Sequence, residues 1–227
     1  IKNPLGGIKG AAQLLQRELK ETEPLAKHTE VIIKEANRVN DLIRRLLDLA
    51  KPRTAKAEEV NVNRLLNEIL MLQQQTSEGR RVHIASEFDP SLPTVTGDEE
   101  QLTSVFLNIV RNALEASPFH GRVLVRTRVV TDYVLVGERG VRRKVIRVDV
   151  EDDGPGVPPE EVEKLFTPFY TTKHGGTGLG LAISHQIVLD HRGRIEFHRL
   201  PMRGARVQIY LPSAPSRRNG EPKEPDA

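Results

Sequence analysis

Leu5, Ile8, Ala11 or Ala12, Leu15 and Leu19 recur at intervals of three and four, the spacing of one amphipathic helix from Ile1 to about Glu21. Pro24 lies in the break. Leu25, Ile32, Val39 and Leu46 then repeat every seven residues, Ala36, Ile43 and Ala50 form a second seam, and Pro52 ends this helix. Ile33, Leu42 and Leu47 widen the stripe, so each helix should touch more than one neighbour. Two such helices joined by a short turn make an αα-hairpin, which alone cannot bury that much apolar surface. Pairing two hairpins into a four-helix bundle buries it and predicts a homodimer through residues 1–51. The alternative is a hairpin packed on the rest of its own chain.

Residues 53–59, RTAKAEE, are polar and read as a linker. A second domain over 60–212 mixes both periodicities. Asn63 is placed to cap a helix running to about Glu78, Arg81 to Phe88 alternates like a strand, and Asp98 with Gln101 forms a capping box for a helix ending near Ala116. Arg122–Val130 and Arg143–Val150 are rich in Val, Ile, Arg and Thr, flank the turn-like GERG, and predict long paired strands. A further helix follows GGTGLGLA, and strands at Arg194–His198 and Arg206–Leu211 close the domain. The fold class expected is α+β: an N-terminal helical hairpin over 1–52, then an α/β sandwich with one sheet covered by helices. Residues 213–227, SAPSRRNGEPKEPDA, predict a disordered tail.

Composition narrows this little but usefully. The 227 residues contain no Cys, which excludes disulfides and thiolate metal sites and fits a reducing, cytoplasmic setting. No apolar run approaches the ~20 residues of a membrane span, and no secretory signal pattern leads the chain. Lys and Arg (34) are interleaved with Asp and Glu (31), giving a net charge of +3, and aromatics are few. That pattern predicts a solvated surface and no direct nucleic-acid contact.

The opening IKNPLGGIKG raises a question. Gly inside a helix costs roughly 1 kcal/mol against Ala and an interior Pro about 3. Pro4, Gly6, Gly7 and Gly10 therefore need a reason other than local stability. There is no initiator Met, so Ile1 is expected to be a boundary.

Three stretches carry candidate chemistry. On EEQLTSVFLNIVRNALEA, Asn108 and Asn112 lie one turn apart on a polar face; solvent explains such a face, and so does a hard cation held by amide oxygens. In VDVEDDGPGVP a strand ends in acids beside Gly154 and Gly156, suited to an adenine amine at Asp152 or merely to a solvated turn. TPFYTTKHGGTGLGLAIS is a glycine-rich stretch before a helix, whose N–H groups could cradle a polyphosphate. There is no GxxxxGK[ST] and no kinase HRD–DFG set.

Taken together, Asn108-x-x-x-Asn112, Asp152-x-Gly154-x-Gly156, Phe166-x-x-Phe169 and Gly176-x-Gly178-x-Gly180 resemble the N, G1, F and G2 boxes of the histidine-kinase ATPase domain. That domain shares its fold with the ATPases of DNA gyrase, Hsp90 and MutL. IKNPLGGIKGAAQLL resembles the helix that follows the phospho-accepting His in two-component sensor kinases, most closely those of the nitrogen-regulation, NtrB type. The resemblance spans about residues 1–212.

It implies a histidine protein kinase core with ATP and Mg2+ as cofactors. Residues 1–52 would be the dimerisation and phosphotransfer hairpin, and 60–212 the catalytic domain. By the family pattern the phospho-accepting His and an acidic neighbour precede Ile1. His28, His83, His120, His174, His185, His191 and His198 lack that motif. Pro4 and the glycines then weaken the helix beside that His so that another domain can approach; close helix packing in the bundle is the alternative. Asp152 would hold adenine, Asn112 would bind Mg2+, and Asn108 would support metal and phosphates. Arg111, Gly154, Gly156, Phe169, Gly176, Thr177, Gly178, Leu179, Gly180 and Leu181 would line the nucleotide, with Lys173 adding charge. Asn3, one turn after the expected His, would serve phosphatase activity, or is a surface residue or local cap. Partners implied are a second copy, an NtrC-like response regulator and a PII-type signal protein.

Two departures stand out. Hydrolysing relatives carry Glu four residues before the metal-binding Asn, where this chain has Asn108. Gly204-Ala205 stands where relatives often carry a small hydroxyl residue after Gly. The rival reading is an ATP-gated clamp of the MutL or Hsp90 type.

Overall fold

The computed structural model describes residues 8, 10–13, 15, 28–37, 39, 58–77, 81–136, 142–173, 176–201 and 203–215. The chain divides into two compact units, Ile1–Arg53 with Thr171–Leu179 and Thr54–Tyr170 with Gly180–Ala227.

In the first unit the described residues of both expected hairpin helices, 8, 10–13, 15, 28–37 and 39, are helical. The short turn and the remainder of both helices lie outside the described residues. Ala12 and Ala36 are buried, but Ile8, Leu15, Ile32 and Val39 are 51%, 47%, 44% and 39% exposed. The apolar stripe is thus not fully covered within one copy. A Cβ at Gly10 would meet nothing within 4 Å. Close packing inside one chain therefore does not account for that glycine.

The second unit is built on a five-stranded sheet. Its elements are β1 (Glu58–Val60), α1 (Val62–Ser77), β2 (His83–Glu87), β3 (Val95–Gly97), α2 (Glu99–Ala116), β4 (Arg122–Val136), β5 (Arg142–Asp152), α3 (Pro159–Val162), α4 (Gly180–Asp190), β6 (Arg194–Arg199) and β7 (Ala205–Pro212). Strand order is β2-β4-β5-β7-β6, with β2 parallel to β4 and every other pair antiparallel; β1 and β3 form a separate antiparallel pair.

Strand alternation decides which face is covered. Val123, Val125, Ile146, Val148, Val150, Ile195, Ile209 and Leu211 point into one core with Leu65, Leu66 and Ile69 of α1, Leu102, Val105, Phe106 and Ile109 of α2, and Ile187 and Val188 of α4. Burying each large side chain contributes about 1.5–3 kcal/mol. The opposite face is polar: Arg126 bridges Glu87 (2.8 Å) and Glu151 (2.6 Å), and Arg206 reaches Glu151 (2.7 Å). On the same face Arg147 and Gln208 both reach Asp149, at 2.9 and 2.6 Å.

Several expectations shift. Glu58 and Glu59, read as linker from their polarity, form β1 against Thr96 and Gly97. Asn61, not Asn63, caps α1: Arg64 N–H donates to Asn61 Oδ1 at 3.0 Å. The Asn63 amide instead donates to the Asp89 carbonyl and accepts from Thr127 Oγ1, both at 2.8 Å. The β4–β5 pair extends beyond the expected strands, with its register shifting between Val130 and Leu135; GERG lies outside the described residues. The expected tail begins inside the fold, since Ser213 N–H donates to the Lys144 carbonyl (2.8 Å) and Ala214 N–H to that of Thr94 (2.7 Å). Residues 216–227 lie outside the described residues.

The Asp98–Gln101 cap forms, with a variation. Asp98 Oδ1 accepts from Gln101 N–H at 3.0 Å, but the Asp98 N–H is taken by His191 Nε2, also at 3.0 Å. His191 Nδ1 then donates to the Ile187 carbonyl at 2.7 Å. One buried imidazole so ties the start of α2 to the end of α4.

Candidate functional site

β5 carries its last residue, Asp152, to the sheet's end beside a turn of small residues. Asp152 is 8% exposed and its Oδ1 accepts from Gly154 N–H at 2.8 Å. A side chain at 154 would stand 2.6 Å from that oxygen and 2.9 Å from the Ala116 carbonyl, so glycine is needed for α2 and the turn to meet. Gly156 has φ +74° and rests against Gly204, whose carbonyl would lie 3.1 Å from an added Cβ. Asp153 accepts from Arg122 N–H at 2.9 Å, fastening the turn to the start of β4.

α2 presents Asn108, Arg111 and Asn112. The Asn108 amide donates to Ser184 Oγ on α4 at 3.0 Å, and a Cβ at Gly180 would stand 2.5 Å from Asn108 Oδ1. The structure therefore brings together Asn108 and Gly180, which are 72 residues apart. Asn112, one turn further along, is partly exposed. Arg111 is exposed and ion-paired with Glu115 at 3.4 Å. Leu181 packs, partly buried, on the core.

After α3, Phe166 lies on the ring of His185, centroids 5.1 Å apart. Phe169 is 61% exposed and holds φ +68°, a conformation that costs a non-glycine residue roughly 1–2 kcal/mol. Burial and then a hydrogen bond with Glu161 hold the neighbouring Tyr170 phenol above its ordinary range.

The stretch Thr171–Leu179 falls to the first unit. Lys173 N–H donates to Thr171 Oγ1 (3.1 Å), and Gly176 N–H to the Lys173 carbonyl (3.1 Å). Gly178 has φ +65°, Thr177 Oγ1 accepts from Leu179 N–H at 3.4 Å, and Leu179 is fully buried. Asn3 lies outside the described residues.

The residue types suit a magnesium ion: neutral amide oxygens, with Asn108's carbonyl given room by the missing Cβ of Gly180. Among the described residues no group of three or more His, Cys, Asp or Glu gathers as a metal cluster, so an ion here would complete its shell from water and phosphate. Sequence reasoning missed Ser184 and His191, whose partners are 76 and 93 residues away. The only signal for Ser184 was its place one turn after Gly180.

Two family models match the chain. Residues 97–215 match the histidine kinase-, DNA gyrase B- and HSP90-like ATPase family, and residues 1–55 match the His Kinase A (phospho-acceptor) domain. Sensory histidine kinase/phosphatase NtrB of Escherichia coli O157:H7 is 41% identical over 213 residues, 93% of this chain and 59% of its own length. NtrB of Vibrio alginolyticus is 39% identical over 214 residues, with the same shares. The chain thus spans about three fifths of these relatives. Among solved structures, full-length ShkA in complex with AMPPNP matches with a TM-score of 0.76 at 25% identity, over 94% of this chain and 44% of its own. Histidine kinase ThkA in complex with response regulator protein TrrA matches at 0.68 and 27%, over 95% and 59%. No helix among the described residues is long and apolar enough to cross a membrane. With more than half of its length inside the first of these families, the chain belongs to the histidine kinase-, DNA gyrase B- and HSP90-like ATPases, as a histidine-kinase core of the NtrB type.

Proposed function

We propose that this chain binds ATP with Mg2+ and passes the γ-phosphoryl group to a histidine, and from there to an aspartate of a response regulator, in the cytoplasm. The observation that carries the reading is the buried Asp152 carboxylate, steadied by Gly154 N–H and flanked by backbone kept free of side chains at Gly154, Gly156 and Gly204. Asp152 accepts from the exocyclic amine of adenine, and the purine lies against the glycines of the turn. Asn112 holds Mg2+, and Asn108 supports it; when bound, the ion neutralises phosphate charge. Thr177, Gly178, Leu179 and Gly180 offer N–H groups to the phosphates, Lys173 adds positive charge, and Arg111, Phe169, Gly176 and Leu181 border the nucleotide. Phosphoryl transfer needs positioning and charge stabilisation, which these groups supply, and an acceptor, which the family pattern places two positions before Ile1.

The chain acts as a homodimer. The exposed stripe Ile8, Leu15, Ile32 and Val39 is the surface a second hairpin would cover. The NtrB likeness supports an NtrC-like regulator and a PII-type signal protein as partners. Asn3, one turn after the expected His, orients a water toward the regulator's acyl-phosphate, since its amide can donate and accept without ionising. Asn3→Ala should slow decay of phosphorylated regulator alone; equal loss of autophosphorylation would remove that role.

Calorimetry with ATP and GTP tests the core of the reading. Guanine presents a carbonyl where adenine presents an amine, so the Asp152 carboxylate would face a second acceptor at a cost of about 1–3 kcal/mol. ATP should bind roughly tenfold or more tightly, and Asp152→Ala should abolish the difference. Equal affinities, or discrimination surviving in Asp152→Ala, would overturn the assignment.

A further inference from the structure

We infer that Ser184 is a positioning residue that decides which end of the Asn108 amide the candidate site presents, an inference that rests on the nucleotide-binding reading above. Ser184 lies one turn into α4, is 2% exposed, and accepts from Asn108 Nδ2 at 3.0 Å. Neither helix could order this amide alone, because the bond joins α2 to α4 across 76 residues of sequence.

An Asn amide can turn end for end about a broad side-chain torsion at little intrinsic cost. A hydroxyl could satisfy either end, since it both donates and accepts. The tie is broken at Gly180, the first residue of α4, where an added Cβ would stand 2.5 Å from Asn108 Oδ1 and 3.1 Å from Nδ2. A helix start presents unpaired N–H groups and partial positive charge, which favour an oxygen and disfavour an amide NH2. Ser184 takes the nitrogen, and the oxygen is left facing Gly180 at the head of α4. The amide is thereby held with its carbonyl at the first turn of α4, and that carbonyl is the donor a magnesium shell requires. Unlike a carboxylate, it cannot remove a proton from water, which suits transfer to a protein acceptor over hydrolysis. Without the Ser184 hydroxyl, Nδ2 loses its partner and the carbonyl its fixed direction.

The test uses the full chain with AMPPNP, with and without Mg2+, followed by calorimetry, and NMR of the Asn108 side-chain NH2. Ser184→Ala should weaken Mg2+-dependent AMPPNP binding roughly three- to tenfold, the effect of one lost hydrogen bond, and leave Mg2+-free binding nearly unchanged. It should also speed solvent exchange of the Asn108 NH2 protons. In an Asn108→Ala background the same change should weaken binding no further. Unchanged affinity in Ser184→Ala, or an equal loss in the Asn108→Ala background, would overturn the role, because Ser184 would then act through packing of α4. A wild-type chain that binds no nucleotide would overturn the nucleotide reading itself, and this role with it.

Discussion

Gly204 lies so close to the backbone of Asp152 that a Cβ on it would overlap the Asp152 carbonyl oxygen, and its φ of +94° is one that L side chains rarely adopt. Asp152 and Ala205 are register partners in the β5–β7 pair, so the glycine just before β7 sets how the end of β5 is seated. The residue that faces adenine in the proposed reading is therefore positioned from the opposite strand.

Gly204→Ala should displace the Asp152 turn. The left-handed backbone alone costs about 1–2 kcal/mol, before the overlap is relieved. Nucleotide affinity should fall at least tenfold, along with a lower urea midpoint. Wild-type affinity in a folded Gly204→Ala chain would show that Asp152's seating is not set by Gly204.

His191→Ala removes the link between α2 and α4. It removes the acceptor of the partly buried Asp98 N–H, at about 1–3 kcal/mol, while the Ile187 carbonyl keeps the backbone N–H of residue 191. The urea midpoint should drop at unchanged m-value. A loss below about 0.5 kcal/mol would mean water replaces the imidazole at both ends.

Asp89 gives a pH signature. The Ser91 hydroxyl, then the Ser91 N–H, hold its carboxyl below the ordinary value of 3.8, with both bonds to Oδ1 at 2.7 and 2.9 Å. A folded pKa below the unfolded one stabilises the chain above the ordinary carboxylate range, and that contribution is lost as pH falls through the folded value. The stability difference between wild type and Ser91→Ala should hold steady from neutral pH to about 4 and close below it. A difference independent of pH would assign the effect to turn geometry instead.

What was legible in the sequence follows from range. The β4–β5 pair, the Asp98–Gln101 cap and the helix after the glycine-rich stretch are local patterns, readable within a few residues. Asn63 reads as the cap of α1, and Asn61, two residues earlier, holds that place. Asp89 and Thr127, 26 and 64 residues away, claim Asn63 and leave Asn61 to the helix. β1 was hidden because Glu58 and Glu59 are polar, and only pairing with β3 makes them a strand. The boxes around Asn108, Asp152 and Gly178 were visible as motifs, whereas Ser184, which touches Asn108, and Gly204, which seats Asp152, act across strands and helices that sequence spacing does not join.

The central claim is phosphoryl transfer to histidine, and labelled ATP tests it most directly. The chain extended by His-Glu ahead of Ile1, to restore the family pattern, should be incubated with γ-labelled ATP and Mg2+, and the phosphate sorted by acid and base stability. The account predicts acid-labile, base-stable label on the added His, lost in Asp152→Ala and passed on to a response regulator aspartate. Steady release of free phosphate with no label on the hairpin would contradict it and favour an ATP-gated clamp.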